Sequence, residues 1–508
     1  MTDQTALWTI MVYISGDSVL DNFAIESLKQ LRRAAGGGVT VEVLFDPNFG
    51  GNPTRLRFDG NQDPNASLFE EVKGKRTSFK KDGIGEFPGP INVANPENLK
   101  EFINSVTGAP DSVAGSNRNY GLILWGHGTE LLLDTEQPSR NKAGAGTDRN
   151  YLTPASIRDA LAETKLLAKR SPMAGNKAIG DSSTKLDFIA LDACSMSMVE
   201  VAFELQDYAD FMIASQDDVP DQSFPYEAIL SRLKAQGRQK DGAREACRMI
   251  PADYKDSFQD YFPAPGPAET SITLSSLNLQ SVENVTVPLD RLAAALRGLA
   301  FEGNASQEAR RAIISARSAS RSFVLGLFVD LYDFCQNLEG KNLSEDVNSI
   351  CKQIQDALTV DSRKDVLVLN NQTNEEGKVQ CHGLSIYLPY LTAEESLNIE
   401  KSLTIGGTSI VTQLTKGAST TILHKNGSTT NLHKSRAARI AETEQDLASL
   451  KRFNDKTGWT NFIKGTWSFI LAMEEPLELD LHYSAQQCVL NLRAFLCEAS
   501  GKSRERAA

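Results

Sequence analysis

Cysteine and histidine are both scarce in this chain, and neither is spaced as in a metal site. Seven cysteines and five histidines are scattered over 508 residues, without a Cys-x-x-Cys pair or a Cys/His cluster. The odd number and irregular spacing of the cysteines also argue against a disulfide framework. The sequence lacks a calcium loop of the Asp-x-Asp type, so we expect no cofactor and no obligatory metal, although calcium remains possible.

Long apolar runs and long basic runs are missing too. No hydrophobic stretch approaches the length of a membrane span, and the residues before Trp8 have neither the basic nor the apolar region of a signal peptide. We therefore expect a cytoplasmic protein that does not bind membranes. A net charge of −12 without Lys/Arg blocks argues against nucleic-acid binding.

Short apolar runs alternate with amphipathic segments through the first half of the chain. Residues 8–14 and 39–46 are predicted strands, and the segment between them has apolar residues at helical spacing. Further helices are predicted from Pro154 to about Lys169, at 226–236 and at 241–262. This alternation predicts an α/β fold with a doubly wound, mostly parallel sheet flanked by helices.

The regions outside this alternation have a different pattern. Residues 47–94 are rich in Gly, Pro and Asn, and we expect a short hairpin around Arg55–Phe58 and loop elsewhere. Residues 284–357 are predicted to be mainly helical. Val366–Leu369 and Leu384–Leu388 are predicted to form a late pair of strands.

One predicted strand, Phe188–Leu191, leads to a cysteine. The run is followed by Asp192-Ala193-Cys194-Ser195, and helical spacing resumes from Met198 to Leu205. Such a strand end directs the thiol toward the carboxyl edge of the sheet, where open α/β folds bind their ligands. We also expect the start of the following helix to favour the thiolate.

A second predicted strand, Tyr120–Trp125, leads to His127, which stands between Gly126 and Gly128. Either residue alone is more often structural, His127 as a hydrogen-bonded polar group and Cys194 as a core thiol. At matched strand ends, the two together suggest a catalytic Cys–His dyad.

Such a dyad could hydrolyse an acyl bond. The Cys194 thiolate would attack the carbonyl carbon, and His127 would protonate the leaving amine. The backbone N–H groups of Gly128 and Cys194 are candidate donors to the oxyanion. A glycine at 128 would let the substrate carbonyl approach closely.

Three segments resemble the clostripain family of cysteine peptidases: Trp8–Asp17, Leu122–Gly128 and Leu191–Cys194. Weaker similarity continues in chain order at Ala214–Gln216, Pro225-Tyr226, Val329–Asp333, Gly383–Tyr387 and Thr457–Trp459. The family shares the caspase-like fold of caspases, gingipains and legumains. The resemblance therefore implies a caspase-like sheet, a Cys–His dyad and a protein or peptide substrate.

The resemblance also implies specificity for basic residues. An acid two residues before the nucleophile lies on the same side of its strand, so Asp192 could line the S1 pocket and pair with a substrate Arg, and less well with Lys. Asp192 could instead hold a loop or cap the helix. The place of a second S1 acid in the family falls on Gln222 here, with Asp221 beside it.

The resemblance leads us to divide the chain into four parts. Residues 7–265 are predicted to form the caspase-like catalytic domain, and 266–397 to continue the family core. Residues 398–445, dense in Ser and Thr, are an insertion or mobile surface arm, or alternatively a solvated hairpin that turns at Asn426-Gly427. Residues 446–508 form an additional C-terminal α+β region with a disordered tail.

Control of such a protease is a separate question, because an intracellular enzyme that cuts after Arg must be held inactive. In the resembling family, self-cleavage occurs in the loop after the catalytic His. Here that loop offers Arg140, Lys142 and Arg149 as cleavage sites. An intracellular activator or regulatory partner is the alternative. Two other functions stay open from sequence, a non-catalytic doubly wound binding or signalling module and a degenerate caspase-like scaffold.

Overall fold

The computed structural model describes about three fifths of the chain. The residues described are 8–16, 20–47, 53–65, 68–72, 75–79, 92–107, 119–129, 132–134, 151–166, 185–220, 222–236, 241–258, 272–300, 307–323, 326–361, 366–373, 381–389, 404–405, 408–411, 421–423, 429–431 and 449–463. They form two compact units. The first unit comprises Met1–Pro263, Ile272–Asn284 and Ala357–Leu384, and the second comprises Ala264–Ser271, Val285–Asp356 and Ser385–Ala508.

The strands are numbered in chain order. They are β1 (Trp8–Gly16), β2 (Val39–Pro47), β3 (Thr54–Phe58), β4 (Phe69–Val72), β5 (Lys75–Phe79), β6 (Asn119–Trp125), β7 (His127–Thr129), β8 (Leu132–Asp134), β9 (Tyr151–Leu152), β10 (Leu186–Asp192), β11 (Ala209–Ala214), β12 (Thr273–Asn278), β13 (Ser322–Phe323), β14 (Phe328–Asp330), β15 (Val368–Thr373), β16 (Ser385–Tyr387), β17 (Thr404–Ile405), β18 (Thr408–Val411), β19 (Thr421–Leu423) and β20 (Thr429–Asn431).

The helices are numbered in the same way. They are α1 (Asp21–Ala34), α2 (Pro96–Thr107), α3 (Pro154–Ala162), α4 (Val199–Leu205), α5 (Tyr226–Gln236), α6 (Gly242–Ser257), α7 (Glu283–Ala300), α8 (Gln307–Ala319), α9 (Leu331–Glu339), α10 (Glu345–Leu358), α11 (Lys451–Lys456) and α12 (Trp459–Asn461). No helix in the described ranges is long and apolar enough to cross a bilayer.

An eight-stranded sheet organises the first unit, in the order β15-β12-β11-β10-β6-β1-β2-β3. Its five central strands, from β11 to β2, are parallel. The edge strands β3, β12 and β15 are antiparallel to their neighbours. The mostly parallel α/β sheet predicted from the sequence is therefore confirmed, with antiparallel strands added at both edges.

Helices cover both faces of this sheet. On one face, α1, α5 and α6 bury residues such as Leu28, Leu230 and Ile250 in one apolar cluster with the sheet. On the other face, Phe102 of α2 contacts the ring of Tyr13 in β1, and α3 packs between α2 and α4. Because both layers are apolar, the sheet is buried on both sides, as parallel sheets require.

Several local predictions were wrong. The predicted late strands do not pair with each other: β15 joins the edge of the large sheet, and β16 pairs with β14 in the second unit. Helix α3 ends at Ala162, where the Thr164 hydroxyl donates to the Leu161 carbonyl, and not near residue 169. In the region expected to be loop, β4 and β5 form an antiparallel pair. The strand expected around Arg55–Phe58 is present as β3, and its antiparallel partner is β2.

The second unit contains a small antiparallel sheet, β13-β14-β16, with helices α7 to α12. The buried guanidinium of Arg317 donates to the carbonyls of Leu388 and Gly326 and to Ser322 Oγ. The Trp459 indole, in a segment with family similarity, donates to the Tyr387 carbonyl at 2.9 Å. Within 398–445, β19 and β20 pair antiparallel, and the predicted turn at Asn426-Gly427 lies outside the described residues. The four-part division of the chain stays a prediction.

Candidate active site

The strand ends that carry Cys194 and His127 are neighbours in the sheet. Strands β6 and β10 are parallel, and their last residues, Trp125 and Asp192, are in register. The N–H of Gly126 extends this pairing by donating to the Asp192 carbonyl at 3.3 Å. Both Cys194 and His127 are partly exposed. The fold thus brings the two residues to the same edge of the sheet, as their positions in the sequence predict.

Gly128 fixes how closely these two segments approach. A Cβ atom at this position would lie 2.2 Å from the carbonyl oxygen of Cys194, 2.5 Å from its nitrogen and 2.8 Å from the carbonyl carbon of Ala193. All three are backbone atoms, and contacts this short do not occur between a Cβ and a backbone atom. The space that the missing side chain leaves is therefore occupied by the backbone of Ala193 and Cys194.

The chain turns sharply after Cys194. Ser195 has a φ of 55°, in the left-handed region, which costs a non-glycine residue on the order of 1–3 kcal/mol. Ser195 is buried, and its N–H donates to the Asp217 carbonyl at 3.0 Å. The N–H of Ser197 likewise donates to the Ser215 carbonyl at 2.8 Å. These bonds hold the strained turn against the segment that follows β11.

The same segment supplies a hydrogen bond to the thiol. The N–H of Val219 donates to Cys194 Sγ at 3.2 Å, and an N–H donated to sulfur stabilises negative charge on it. We expected this stabilisation from the start of the next helix. Helix α4, however, begins only at Val199 and has seven residues, so the donor next to the sulfur is the Val219 amide.

Residues 215–219 are themselves anchored from two sides. The Thr273 hydroxyl of β12 accepts from the N–H groups of Gln216 and Asp217, at 3.0 and 3.1 Å. Gln216 Oε1 accepts from the N–H of Gly383 at 2.7 Å, and the carbonyl of Gly383 accepts from Ser197 Oγ, also at 2.7 Å. The Val219 donor is thus carried by a segment with fixed supports.

Asp192 is buried directly beside this turn. Its exposed fraction is 3%, and its Oδ2 accepts from the Tyr226 hydroxyl at 2.5 Å, the N–H of Phe224 at 3.3 Å and the hydroxyl of Ser223. Ser223 in turn accepts from the indole N–H of Trp125 at 2.7 Å. Asp192 therefore holds the start of α5 against the ends of β6 and β10.

The charge of Asp192 is only partly compensated by these contacts. Burial raises the pKa of Asp192 to about 6, although the hydrogen bonds from Ser223, Tyr226 and Phe224 act in the opposite direction. All three donors are neutral, and no Lys or Arg in the described ranges forms an ion pair with Asp192. At neutral pH Asp192 is therefore a buried carboxylate, and the described residues provide no counter-charge for it.

The other predicted site residues have different outcomes. Gln222 is partly exposed in the turn just before Ser223, next to the segment that contacts Asp192. Asp221 lies outside the described residues, and so do the three predicted cleavage sites, Arg140, Lys142 and Arg149. The described residues contain no cluster of three or more His, Cys, Asp or Glu side chains suited to a metal ion.

Sequence reasoning missed the residues that surround the two candidate side chains. The N–H of Val219 donates to the sulfur, but no motif in the sequence indicates this contact. Ser223 and Tyr226 converge on Asp192, and the sequence marks only Pro225-Tyr226, through its weak family similarity. No periodicity or motif in the sequence says which strand end this segment reaches.

Comparison with known proteins adds to this geometry. The model of the clostripain family (Peptidase_C11) matches residues 12–467. Clostripain from Hathewaya histolytica is 24% identical over 432 residues, which cover 75% of this chain and 74% of clostripain.

Two solved structures are also similar. An inactive zymogen C11 protease from Parabacteroides distasonis is 18% identical, with a TM-score of 0.49 and coverage of 79% of this chain and 98% of that one. A secreted C11 cysteine protease from Bacteroides thetaiotaomicron, solved with an irreversible peptide inhibitor, is 18% identical, with a TM-score of 0.47 and coverage of 78% and 97%. Because the family model spans most of its length, the chain belongs to the clostripain family and is a cysteine peptidase.

Proposed function

We propose that the chain is an endopeptidase that cleaves after Arg, and less well after Lys, with Cys194 as nucleophile and His127 as general acid and base. The observation that carries the specificity is the buried Asp192 carboxylate beside Cys194, whose donors among the described residues are all neutral. A cation brought by the substrate would supply the missing counter-charge. A guanidinium can pair with a carboxylate through two parallel hydrogen bonds, which favours Arg over Lys.

The reaction follows from the residues at the two strand ends. The Cys194 thiolate attacks the scissile carbonyl carbon, and the oxyanion that forms accepts from the N–H groups of Gly128 and Cys194. His127 gives its proton to the leaving amine, which departs and leaves a thioester on Cys194. Water then loses a proton to His127 as it attacks the thioester. The acid product leaves, and the thiolate and the protonated His127 are restored.

The bonds around Cys194 support this assignment of roles. The Val219 N–H stabilises the sulfur as an anion, and the Ser195 and Ser197 amides fix the turn that presents it. The close packing of Gly128 on the Cys194 backbone keeps the His127 segment in a fixed position relative to the thiol. A dyad works only when its groups are held in such a fixed geometry.

A panel of peptide substrates that differ only at P1 tests the proposal. Wild type should cleave after Arg, more slowly after Lys, and hardly at all after Asp or Leu. Cys194→Ala should abolish cleavage with folding intact, and His127→Ala should lower kcat by several orders of magnitude. Wild-type rates in Cys194→Ala would disprove the dyad, and preferred cleavage after Asp or Leu would disprove the role of Asp192.

We further propose that the enzyme is made as a zymogen, activated by self-cleavage or by a regulatory partner. Asp192 is 3% exposed in the intact chain, so a substrate cation needs some rearrangement to reach it. The candidate cleavage sites Arg140, Lys142 and Arg149 lie between β8 and β9. These two strands pair with each other, and β8 pairs with β7, which begins at His127. A cut there would leave both strands with partners.

Intact mass distinguishes the two routes of activation. Wild type and Cys194→Ala are incubated side by side and weighed. Two fragments that meet near residues 140–149, in wild type alone, support self-cleavage. A wild-type chain that stays intact at 55.5 kDa and is nevertheless active contradicts it and favours a partner.

A further inference from the structure

A buried tyrosine in α6 lies close to the candidate site and has a hydroxyl that nothing in the described part of the chain uses. Tyr254 is fully buried, and its hydroxyl makes no hydrogen bond within the described ranges. A buried hydroxyl left without a partner costs about 1–3 kcal/mol, so a chain that keeps one there calls for an explanation. A phenylalanine would fill the same space at lower cost.

The surroundings of Tyr254 connect it to the Asp192 site. Its ring packs edge-on against Phe224, with centroids 5.6 Å apart, and against Phe258 at 5.0 Å. Phe224 is the residue whose N–H donates to Asp192 Oδ2. Tyr226, which also donates to Asp192, belongs to the same apolar cluster as Tyr254. The ring of Tyr254 therefore packs directly on Phe224, whose backbone holds Asp192.

The electrostatic surroundings agree with this position. Burial raises the pKa of the Tyr254 hydroxyl well above its ordinary value, so the phenol stays neutral at any working pH. Four nearby negative groups raise this pKa further, those of Asp192, Cys194, Asp217 and Asp218. The hydroxyl of Tyr254 therefore lies near acidic groups that favour a cation.

We propose that Tyr254 is a specificity-determining residue whose hydroxyl oxygen accepts a hydrogen bond from the guanidinium of a P1 arginine. This inference rests on the proposed function, because it needs a substrate cation at Asp192. A guanidinium carries five N–H donors, and one carboxylate satisfies only two of them in a bidentate pair. Gln222, where the family carries a second acid, brings no charge. The phenol oxygen supplies one further acceptor.

Lysine would use this acceptor less. The lysine side chain is shorter, and its ammonium carries three donors on one nitrogen. An ammonium paired with Asp192 therefore does not reach a second acceptor beyond the carboxylate, as a planar guanidinium does. Loss of the hydroxyl should therefore affect Arg more than Lys. A specificity role predicts a changed Arg/Lys ratio, whereas a purely structural role predicts equal losses for both substrates.

The test compares Tyr254→Phe with Tyr13→Phe in the full-length protein. Tyr13 is a matched control because it is buried in the same unit, but its hydroxyl donates to the Val93 carbonyl at 2.9 Å and its ring packs on α2, across the sheet. For each variant, kcat/KM is measured on two peptides that differ only in P1 Arg or Lys. Thermal unfolding is measured in parallel.

Tyr254→Phe should lower kcat/KM for Arg about tenfold, the effect of one hydrogen bond to a charged group, and change that for Lys less than about twofold. Its melting temperature should stay the same or rise slightly, because no internal hydrogen bond is lost. Tyr13→Phe should lower the melting temperature by roughly 2–4 °C and leave the Arg/Lys ratio unchanged.

An unchanged Arg/Lys ratio in Tyr254→Phe, or an equal loss for both substrates with a lower melting temperature, overturns the inference while leaving the proposed function intact. A wild type that does not cleave after Arg overturns the proposed function and this inference with it. The wild-type panel is therefore measured first, and the two failures cannot be confused.

Discussion

Replacing Gly128 with alanine should inactivate the enzyme without unfolding it. The added Cβ would meet backbone atoms of Ala193 and Cys194, the nearest at 2.2 Å. Backbone cannot rotate away as a flexible side chain can. The His127–Gly128 segment and the turn at Cys194 must therefore move apart.

The size of that movement follows from the distances. An ordinary contact between a carbon and a carbonyl oxygen is roughly 3.3–3.6 Å. The Cβ added by Gly128→Ala would thus be about 1 Å too close to the Cys194 oxygen, and the two segments must separate by about that much. A misplacement of about 1 Å in an active site can cost 10²-fold in rate. We expect kcat/KM on a P1 Arg peptide to fall at least about 100-fold.

Two other glycines provide controls for Gly128→Ala. Gly298 lies inside α7, and a Cβ there would have no atom within 4 Å, so Gly298→Ala should add about 0.5–1 kcal/mol of stability and leave the rate unchanged. At Gly121 a Cβ would lie 2.3 Å from the Phe188 side chain in the core. Gly121→Ala should therefore lower stability and affect the rate of the folded enzyme much less than Gly128→Ala.

The assay measures kcat/KM together with thermal unfolding for all three variants. A Gly128→Ala enzyme with wild-type kcat/KM would refute the reasoning, because it would mean that the two segments need not be in close contact. The reasoning would also be refuted if Gly128→Ala lost activity only because it unfolds, which is the behaviour expected of Gly121→Ala.

Three further predictions follow from the pKa values of two aspartates. Burial raises the pKa of Asp187 to about 7, so the folded state holds its proton more tightly than the unfolded chain does, and the free energy of unfolding should fall as pH rises from about 4 to 7. Asp187→Asn should remove this fall. In denaturant titration at pH 8 the variant should be about 2 kcal/mol more stable than wild type, a value scaled down because Asp187 is partly exposed. Burial raises the pKa of Asp192 to about 6, so the ratio of kcat/KM for P1 Arg to that for neutral P1 citrulline should rise with pH up to about 6 and then level off. A ratio that does not change with pH in wild type would contradict ion pairing. In Asp192→Asn this ratio should not change with pH, and kcat/KM for P1 Arg should fall by more than about 100-fold. Because the Tyr226 hydroxyl lowers the pKa of Asp192, Tyr226→Phe should shift this rise to higher pH, and an unshifted midpoint would mean that the hydrogen bond does not stabilise the carboxylate.

The sheet and the positions of His127 and Cys194 could be predicted because they depend on local patterns. Apolar runs identify the central strands, and adjacent parallel strands present their carboxyl ends at one edge. In the structure, Trp125 and Asp192 pair at that edge. Family membership could be anticipated from the same short segments.

The contacts that shape the site could not be predicted, because they depend on tertiary geometry. Ser223 reaches Asp192 across 31 residues, and no propensity encodes that approach. The left-handed φ of Ser195 occurs at a residue that does not favour it, so the sharp turn had no signal. The predicted apolar runs Val366–Leu369 and Leu384–Leu388 lead to β15 and β16, which pair in different sheets, since an apolar run does not specify its partner strand.

The central claim is that Cys194 is an activated nucleophile next to a site for arginine. Of the five cysteines in the described ranges, Cys194 alone is not buried. We predict that an arginyl chloromethyl ketone labels the folded protein with one equivalent, located on Cys194 by peptide mass spectrometry, and that the matching leucyl reagent and His127→Ala react far more slowly. Labelling spread slowly over several cysteines, or equal rates with the leucyl reagent, would contradict the claim.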